Sequence, residues 1–110
     1  MVYKFTKKAE KAIEYANKKA MEYGHIYIGT EHLLYGLLKE GSGVASKVLA
    51  NEKVTLKQID EQIENLVGKN ERIEKEKILG FTPRTKRVIE IAYIEAKKRG
   101  TDYIGTEYLL

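Results

Sequence analysis

The sequence predicts an all-α fold made of two pseudo-symmetric four-helix repeats, the second of which is incomplete. Three observations lead to this prediction. A thirty-residue segment recurs 76 positions further along the chain without a gap. Each copy places apolar residues at helical spacing along one stripe. One proline and nine glycines in 110 residues leave long stretches free of helix breakers.

The bulk composition is that of one small globular domain, taken here as residues 1–110. Hydrophobic residues make up 43% and charged residues 33%, which excludes the disordered class. The absence of cysteine excludes disulfides and thiolate metal sites and fits a reducing compartment, so a cytoplasmic location is expected. Neither a signal-peptide core nor a run of about 20 apolar residues occurs, and no membrane association is predicted.

The charge pattern argues against nucleic acid as a partner. The formal net charge is only +4, and lysines and arginines alternate with glutamates along every helical stretch. A nucleic-acid-binding domain usually concentrates its positive charge on one face. A small basic nucleic-acid-binding protein is therefore kept only as the less favoured alternative.

The recurrence is an internal duplication rather than a shared helical period. Fourteen of the thirty aligned pairs are identical. Two unrelated amphipathic helices could share apolar spacing, but they would not also share glycines at matching places, as the pairs Gly24/Gly100 and Gly29/Gly105 do. The two copies read FTKKAEKAIEYANKKAMEYGHIYIGTEHLL from residue 5 and FTPRTKRVIEIAYIEAKKRGTDYIGTEYLL from residue 81.

Each copy begins with a long helix. Thr6 and Thr82 are suitable N-caps, and Pro83 occupies the first helical position, where its missing N–H costs nothing. Gly24 and Gly100 are expected to follow the helix ends in the left-handed conformation. The predicted apolar stripe comprises Phe5, Ala9, Ala12, Ile13, Ala16, Ala20 and Tyr23 in the first copy and Thr85, Val88, Ile89, Ala92 and Ala96 in the second.

Three more helices complete the first repeat. Gly29-Thr30-Glu31 starts a leucine-rich second helix, and Gly41-Ser42-Gly43 ends it. A short third helix is predicted over Val44–Leu49. Leu56, Ile59, Ile63 and Leu66 mark a fourth helix, closed by Gly68. The predicted boundaries are repeat one at 5–68, a charged linker at 69–80 and a partial repeat two at 81–110.

The second copy has no counterpart of residues 35–68. Leu109 and Leu110 would then end the chain within a helix, with an apolar face uncovered, and such a face calls for a partner. The prediction is a shortened chain. The alternative is a homodimer in which each chain completes the core of the other.

Three motifs resemble the N-terminal repeat of Clp-type AAA+ unfoldases, and most closely the ClpC type of Gram-positive bacteria. They are GHxxIGTEHLLxGL at 24–37, EGxGVA at 40–45 and TPRxKxVIExA at 82–92. The resemblance implies a pseudo-twofold helical domain on a hexameric ATP-driven unfoldase that feeds a partner peptidase. It also implies docking of adaptor proteins and, in ClpC-type members, recognition of phosphorylated arginine on protein substrates.

Glu31 and Glu107 occupy matching places just inside the second helix of each repeat. One interpretation is structural, since the helix dipole favours a carboxylate in the first turn. The other is functional, because a carboxylate can accept two N–H bonds from a guanidinium group. The family resemblance favours the second interpretation and assigns both glutamates to the guanidinium of phosphoarginine.

Thr6 and Thr82 open the long helices, and the N-terminus of a helix can bind an anion through its backbone N–H groups and dipole. Arg84 and Lys86 add positive charge to the second of these starts. Thr6, Thr82, Arg84 and Lys86 are therefore candidate phosphate ligands, with repeat two the better one. Ordinary helix capping is the alternative and is compatible with this role.

No other chemistry is predicted. His25 and His32 are the only histidines, Gly29 interrupts the helix between them, and the sequence has no metal-binding pattern, so neither a metal nor a cofactor is expected. His32 is interpreted as a partly buried polar residue. There is no Walker A sequence and no catalytic constellation, which predicts a non-catalytic binding domain. An adaptor-binding domain that ignores phosphoarginine remains the main alternative.

Overall fold

The computed structural model describes residues 3–41, 47–48, 51–53, 55–67 and 80–109. Within them the chain is mainly helical, and the predicted all-α class is confirmed. The helices are α1 (Lys7–Glu22), α2 (Thr30–Glu40), α3 (Leu56–Val67), α4 (Pro83–Lys98) and α5 (Thr106–Leu109). Most of the predicted third helix, Ser42, Gly43, Gly68 and the linker up to residue 79 lie outside the described residues.

The two long helices begin and end as the sequence predicts. The Thr6 hydroxyl accepts a hydrogen bond from the Ala9 N–H at 3.2 Å, and the Thr82 hydroxyl accepts one from the Thr85 N–H at 3.1 Å. Gly24 and Gly100 follow the helix ends with φ of 71° and 79°. Such positive φ values favour glycine, so the matching glycines of the duplication have a conformational cause.

Two very short parallel strand pairs join the repeats, and the sequence did not predict them. Strand β1 (Lys4–Phe5) pairs with β4 (Tyr103–Ile104), and β2 (Tyr27–Ile28) pairs with β3 (Gly80–Phe81). Each pair takes one strand from each repeat. Phe5 thus lies in a strand rather than on the helical stripe, and Gly80 belongs to a strand rather than to the predicted linker.

The contact between α1 and α2 depends on small residues. The buried stripe of α1 consists largely of alanines, and Gly36 of α2 lies directly against it. A methyl group at Gly36 would collide with the Ala12 carbonyl oxygen and crowd the Ala16 backbone nitrogen. The two helix backbones therefore approach more closely than any larger side chain would allow. The stripe residues, all fully buried, are Ala9, Ala12, Ala16 and Ala20.

The main core lies between the repeats. It joins α1 and α2 to α4 and α5 in one cluster of buried residues: Ala9, Ala12, Leu33, Leu37, Ile89, Ala92, Ala96, Ile104 and Leu109. Leu109 is only 4% exposed, so the expectation that its apolar side would be uncovered is wrong. It is covered because α5 packs into the inter-repeat core.

A buried ion pair attaches α3 to α1. Lys19 lies in the last turn of α1, and its Nζ is 3.0 Å from Asp60 and 3.1 Å from Glu22. It also lies 4.1 Å from the centre of the Tyr35 ring. Burial lowers the pKa of Lys19, but the hydrogen bonds to Asp60 and Glu22 outweigh burial and raise it above its usual range.

The tyrosine at the end of α1 contacts the same aspartate. The Tyr23 hydroxyl donates to Asp60 Oδ1 at 3.2 Å. Burial raises the pKa of Tyr23 to about 12, and the nearby Asp60 charge acts in the same direction. Beneath this polar contact, Ile59 and Ile63 of α3 pack against Tyr23 in a small apolar cluster.

No helix in the described part of the chain is long and apolar enough to cross a bilayer.

We expect Gly36→Ala to lower the free energy of unfolding by about 1–3 kcal/mol, because the backbone of α1 must move away from the added methyl group. Intrinsic propensity works in the opposite direction, since alanine is favoured over glycine in a helix by about 1 kcal/mol. Urea unfolding measures the result, with Lys39→Ala on the exposed side of α2 as the control. A Gly36→Ala protein as stable as wild type would contradict the close approach.

We expect Asp60→Asn to destabilise the protein by about 2 kcal/mol, because it leaves the buried Lys19 charge without its main carboxylate partner. The matched control is Glu14→Gln, which breaks the Lys18–Glu14 pair; both of its side chains are 63% exposed. That change should cost less than about 0.5 kcal/mol. Equal losses for the two variants in urea unfolding would show that the buried pair contributes no more than the exposed one.

Candidate ligand-binding clefts

The strand pairs place helix starts from different repeats side by side. The Thr82 N–H donates to the Ile28 carbonyl oxygen at 3.0 Å, one residue before the Gly29 N-cap of α2. The Thr6 N–H donates to the Ile104 carbonyl oxygen, also at 3.0 Å. The start of α4 thus lies beside the start of α2, and the start of α1 lies beside the start of α5. The four predicted helix starts form two pairs, each pair shared between the repeats.

The first pair borders an open cleft of about 420 Å³, named here the Glu31 cleft. Glu31 of repeat one and Thr82 of repeat two both line it, so two of the predicted ligand residues meet across the repeat boundary. The lining residues are Gly24, His25, Ile26, Tyr27, Glu31, His32 and Thr82.

Glu31 also lines a neighbouring apolar groove of about 350 Å³, and Arg84 lines the same groove. The guanidinium-binding candidate and one phosphate-binding candidate therefore lie on the same surface. Lys86 is exposed and lines none of the described cavities. The structure thus places Glu31 in one cleft with Thr82 and in another with Arg84. Lys86 lies one helical turn after Thr82 and donates its backbone N–H to the Thr82 carbonyl oxygen at 2.9 Å.

The second pair of helix starts differs in its surroundings. Glu107 lines a cleft of about 410 Å³, named here the Glu107 cleft, together with Tyr108, Glu95 and Arg99. Thr6 is next to this region through its backbone bond to Ile104, but it does not line the cleft. The two predicted sites are therefore related by the duplication and are not equivalent.

Both glutamate side chains fold back towards the starts of their own helices. A Cβ atom added at Gly29 would overlap the Glu31 carboxylate, and one added at Gly105 would overlap that of Glu107. A carboxylate in this place interacts favourably with the positive end of the helix dipole. The capping interpretation therefore describes both side chains as they lie in this structure.

A histidine pair forms part of the Glu31 cleft, and sequence reasoning missed it. The Gly29 N–H donates to His32 Nδ1 at 2.8 Å, and His32 Nε2 is 2.8 Å from His25 Nδ1. An amide N–H can only donate, so the proton of neutral His32 is on Nε2, and Nε2–H donates to His25. The glycine between the two histidines breaks the helix, yet the turn it makes brings the rings together.

His32 is only 1% exposed, so the expectation of a partly buried residue is wrong. Burial lowers the pKa of His32 to about 4; His25 and Lys19 add to the decrease, and Glu31 opposes it. His32 is accordingly neutral near pH 7. Among the described residues, no cluster of three or more metal-ligating side chains occurs.

Two helical repeats, joined by reciprocal strand pairs and with paired helix starts at the repeat boundary, define a pseudo-twofold repeat domain. A family model described as the Clp repeat (R) N-terminal domain matches residues 4–110. The chain belongs to this Clp N-terminal repeat family.

Relatives from the Clp ATPase family match the whole chain. The ClpC/MecB protein of Bacillus subtilis (strain 168), a negative regulator of genetic competence, is 40% identical over 110 residues. The ATP-dependent Clp protease ATP-binding subunit ClpA homolog of Guillardia theta is 44% identical over 110 residues. In both cases the match covers 100% of this chain and 13% of the relative.

Solved structures confirm the fold. The N-terminal domain of the caseinolytic protease associated chaperone ClpD from Arabidopsis thaliana superposes with a TM-score of 0.77 at 24% identity. The match covers 99% of this chain and 75% of that domain. A structure described as part of a malarial protein secretion system gives a TM-score of 0.79 at 19% identity, covering 96% and 73%.

We expect His32 to make folding stability depend on pH. Its folded pKa of about 4 lies below the ordinary value of 6.5, so the unfolded chain binds the proton more readily. The contribution is complete above pH 6.5 and is lost as the pH falls towards 4. At pH 4.5 the loss should reach about 2–3 kcal/mol.

Urea unfolding at pH 7.5 and 4.5 measures this loss, and His32→Asn is the control because asparagine does not titrate and retains an acceptor for the Gly29 N–H. Carboxylates titrate in both proteins, so the difference between the two is the relevant quantity. The same loss of stability in wild type and variant would contradict the assignment to His32.

Proposed function

We propose that this chain is a docking domain that presents adaptors and protein substrates to a Clp-type unfoldase, and that it recognises phosphoarginine. The observation that carries the proposal is the pairing of a glutamate-bearing helix start from one repeat with a threonine-capped helix start from the other. Membership of the Clp N-terminal repeat family and the ATP-binding subunits among its relatives support the docking role. The whole unfoldase and its peptidase would be the wider partners.

Phosphoarginine joins a negative phosphoryl group directly to a planar guanidinium, so its recognition requires an acidic group and an anion site close together. In the Glu31 cleft the carboxylate can accept two parallel N–H bonds from the guanidinium. The neighbouring start of α4 offers the positive end of a helix dipole to the phosphoryl oxygens. Pro83 has no N–H to donate to a phosphoryl oxygen, so this helix start offers one backbone donor fewer. The Arg84 guanidinium is an additional phosphate-binding group at the same helix start.

The Glu107 cleft is the second candidate site and is the weaker one. Thr6 starts the adjoining helix without an arginine in its first turn, and the Arg99 that lines this cleft lies at the end of α4. Glu95 on the wall of this cleft adds negative charge, which opposes a phosphoryl group. We therefore assign the tighter of the two sites to Glu31, Thr82 and Arg84.

Docking of an adaptor independently of phosphoarginine is a second candidate function. Ile91 and Ile94 of α4 are 47% and 42% exposed, whereas the matching residues of repeat one are Tyr15 and Lys18. Exposed aliphatic side chains on a helix suit contact with a partner protein. An adaptor that binds this face would bind equally well when both glutamates are replaced.

Calorimetric titration with free phosphoarginine tests the proposal. Glu31→Gln should weaken binding by about tenfold to a hundredfold, because a charge-assisted pair is lost. The double variant Glu31→Gln/Glu107→Gln should show no saturable binding. Glu61→Gln on the exposed side of α3 should bind like wild type.

Arginine and inorganic phosphate, each added alone, should bind much more weakly than phosphoarginine, because each makes only half of the contacts. Undiminished binding of phosphoarginine by the double glutamine variant would remove the mechanism. Binding of phosphate alone as tightly as phosphoarginine would show that the glutamates do not take part.

A further inference from the structure

We infer that His32 is a positioning residue that keeps the Glu31 carboxylate available to ligand, and that its absence from repeat two makes the Glu107 cleft the weaker site. This inference rests on the proposed function, since it concerns the affinity of the same two clefts. The repeated Gly-Thr-Glu-x-Leu-Leu motif differs between the copies at one position, which is His32 in the first copy and Tyr108 in the second.

The N–H of the N-cap glycine needs an acceptor at each of these helix starts, and the two repeats satisfy it differently. In repeat one, His32 Nδ1 accepts from the Gly29 N–H at 2.8 Å. In repeat two, Tyr108 has its only polar atom at the far end of the ring. Among the residues that the structure describes, no side chain accepts a hydrogen bond from the Gly105 N–H.

The glutamate beside each glycine is the natural substitute for that acceptor. Both carboxylates already lie against their N-cap glycine, close enough that an added Cβ would overlap them. Glu107 is therefore the nearest group that can compensate the Gly105 N–H. Glu31 does not need to accept a hydrogen bond from the Gly29 N–H, because that N–H already donates to His32 Nδ1.

The histidine pair holds His32 in the state that this role requires. The His32 Nε2–H bonds to His25 Nδ1 at 2.8 Å, which fixes the tautomer with a lone pair on Nδ1. The His25 ring in turn stacks on Tyr23 at 5.8 Å and 12°. Repeat two has Thr101 and Arg99 at the places of His25 and Tyr23, so it lacks the support as well as the acceptor.

Neutral His32 also cannot compete for the carboxylate. Its Nδ1 lies 3.6 Å from Glu31 Oε1, but the proton is on the other nitrogen, so no ion pair forms between them. A guanidinium arriving at Glu31 therefore displaces no internal salt bridge. At Glu107 the carboxylate lies against Gly105, whose N–H has no side-chain acceptor in the described part of the chain, so this amide competes with an incoming guanidinium for the carboxylate.

The test is a site-resolved NMR titration of the whole 110-residue chain with free phosphoarginine near pH 7.5. The amides of Gly29–Thr30 report on the Glu31 cleft, and those of Gly105–Thr106 report on the Glu107 cleft. Wild type should bind more tightly at the first pair. His32→Leu should weaken binding at the Glu31 cleft by about fivefold to tenfold, because the Glu31 carboxylate would then turn to the Gly29 N–H and lose one hydrogen bond to the ligand.

Two further variants separate positioning from simple structural support. His32→Asn retains an acceptor for the Gly29 N–H and should restore affinity to within about twofold of wild type. The double variant Thr101→His/Tyr108→His, called the transplant, places the histidine pair in repeat two, where Tyr108 is only half-buried. It should raise the affinity of the Glu107 cleft for phosphoarginine about fivefold. The transplant does not alter repeat one, so it remains informative if His32→Leu unfolds the protein.

The outcomes distinguish this inference from the function on which it rests. Equal affinities at the two clefts in wild type would overturn the inference and leave the proposed function standing. So would an unchanged Glu31 cleft in His32→Leu, or an unchanged Glu107 cleft in the transplant. Absence of phosphoarginine binding at both clefts would overturn the proposed function and this inference with it.

Discussion

The reciprocal strand pairing is the constraint on which the rest of the architecture depends. Each pair is only two residues long, yet each fixes the start of a long helix against the other repeat through one backbone bond of 3.0 Å. Backbone groups near a helix start need partners, and for the Thr6 and Thr82 N–H groups the partner is a carbonyl of the opposite repeat. The clefts, the inter-repeat core and the burial of Leu109 all follow from this arrangement.

Close packing of small residues gives the first repeat its shape. The alanine stripe of α1 and Gly36 of α2 let two backbones meet, which leaves larger side chains to point elsewhere. Lys19 is one of them: it extends from the end of that stripe to Asp60 and holds α3 in place. Among the lysines that the structure describes, Lys19 alone is buried and links α3 to α1, whereas the others are exposed.

Local signals accounted for what the sequence predicted correctly. Capping threonines, the glycines after the helix ends and the apolar stripes act within one or two helical turns, so they could be read without knowing the fold. The strand pairs could not be predicted, because two residues carry no period and the pairing joins positions about 50 or 100 residues apart. The meeting of Glu31 with Thr82 across the repeats depends on that pairing. The burial of Lys19 depends on long-range packing, and lysine is a residue type that is almost never fully buried unless paired. The contact of His25 with His32 depends on the turn between them.

The pairing of strands between the two repeats has a consequence for the origin of the domain. The Glu31 cleft takes Thr82 from the second copy and the rest of its lining from the first, so a lone repeat would carry only part of this cleft. Before duplication, such a unit could have completed a cleft only by meeting a second molecule, and its occupancy would have depended on protein concentration. Fusion of the two copies replaced that encounter with a tethered one, at an effective concentration set by the chain between them. Once both copies were encoded in one chain, their sequences could diverge independently. His32 in the first copy and Tyr108 in the second are an example of this divergence.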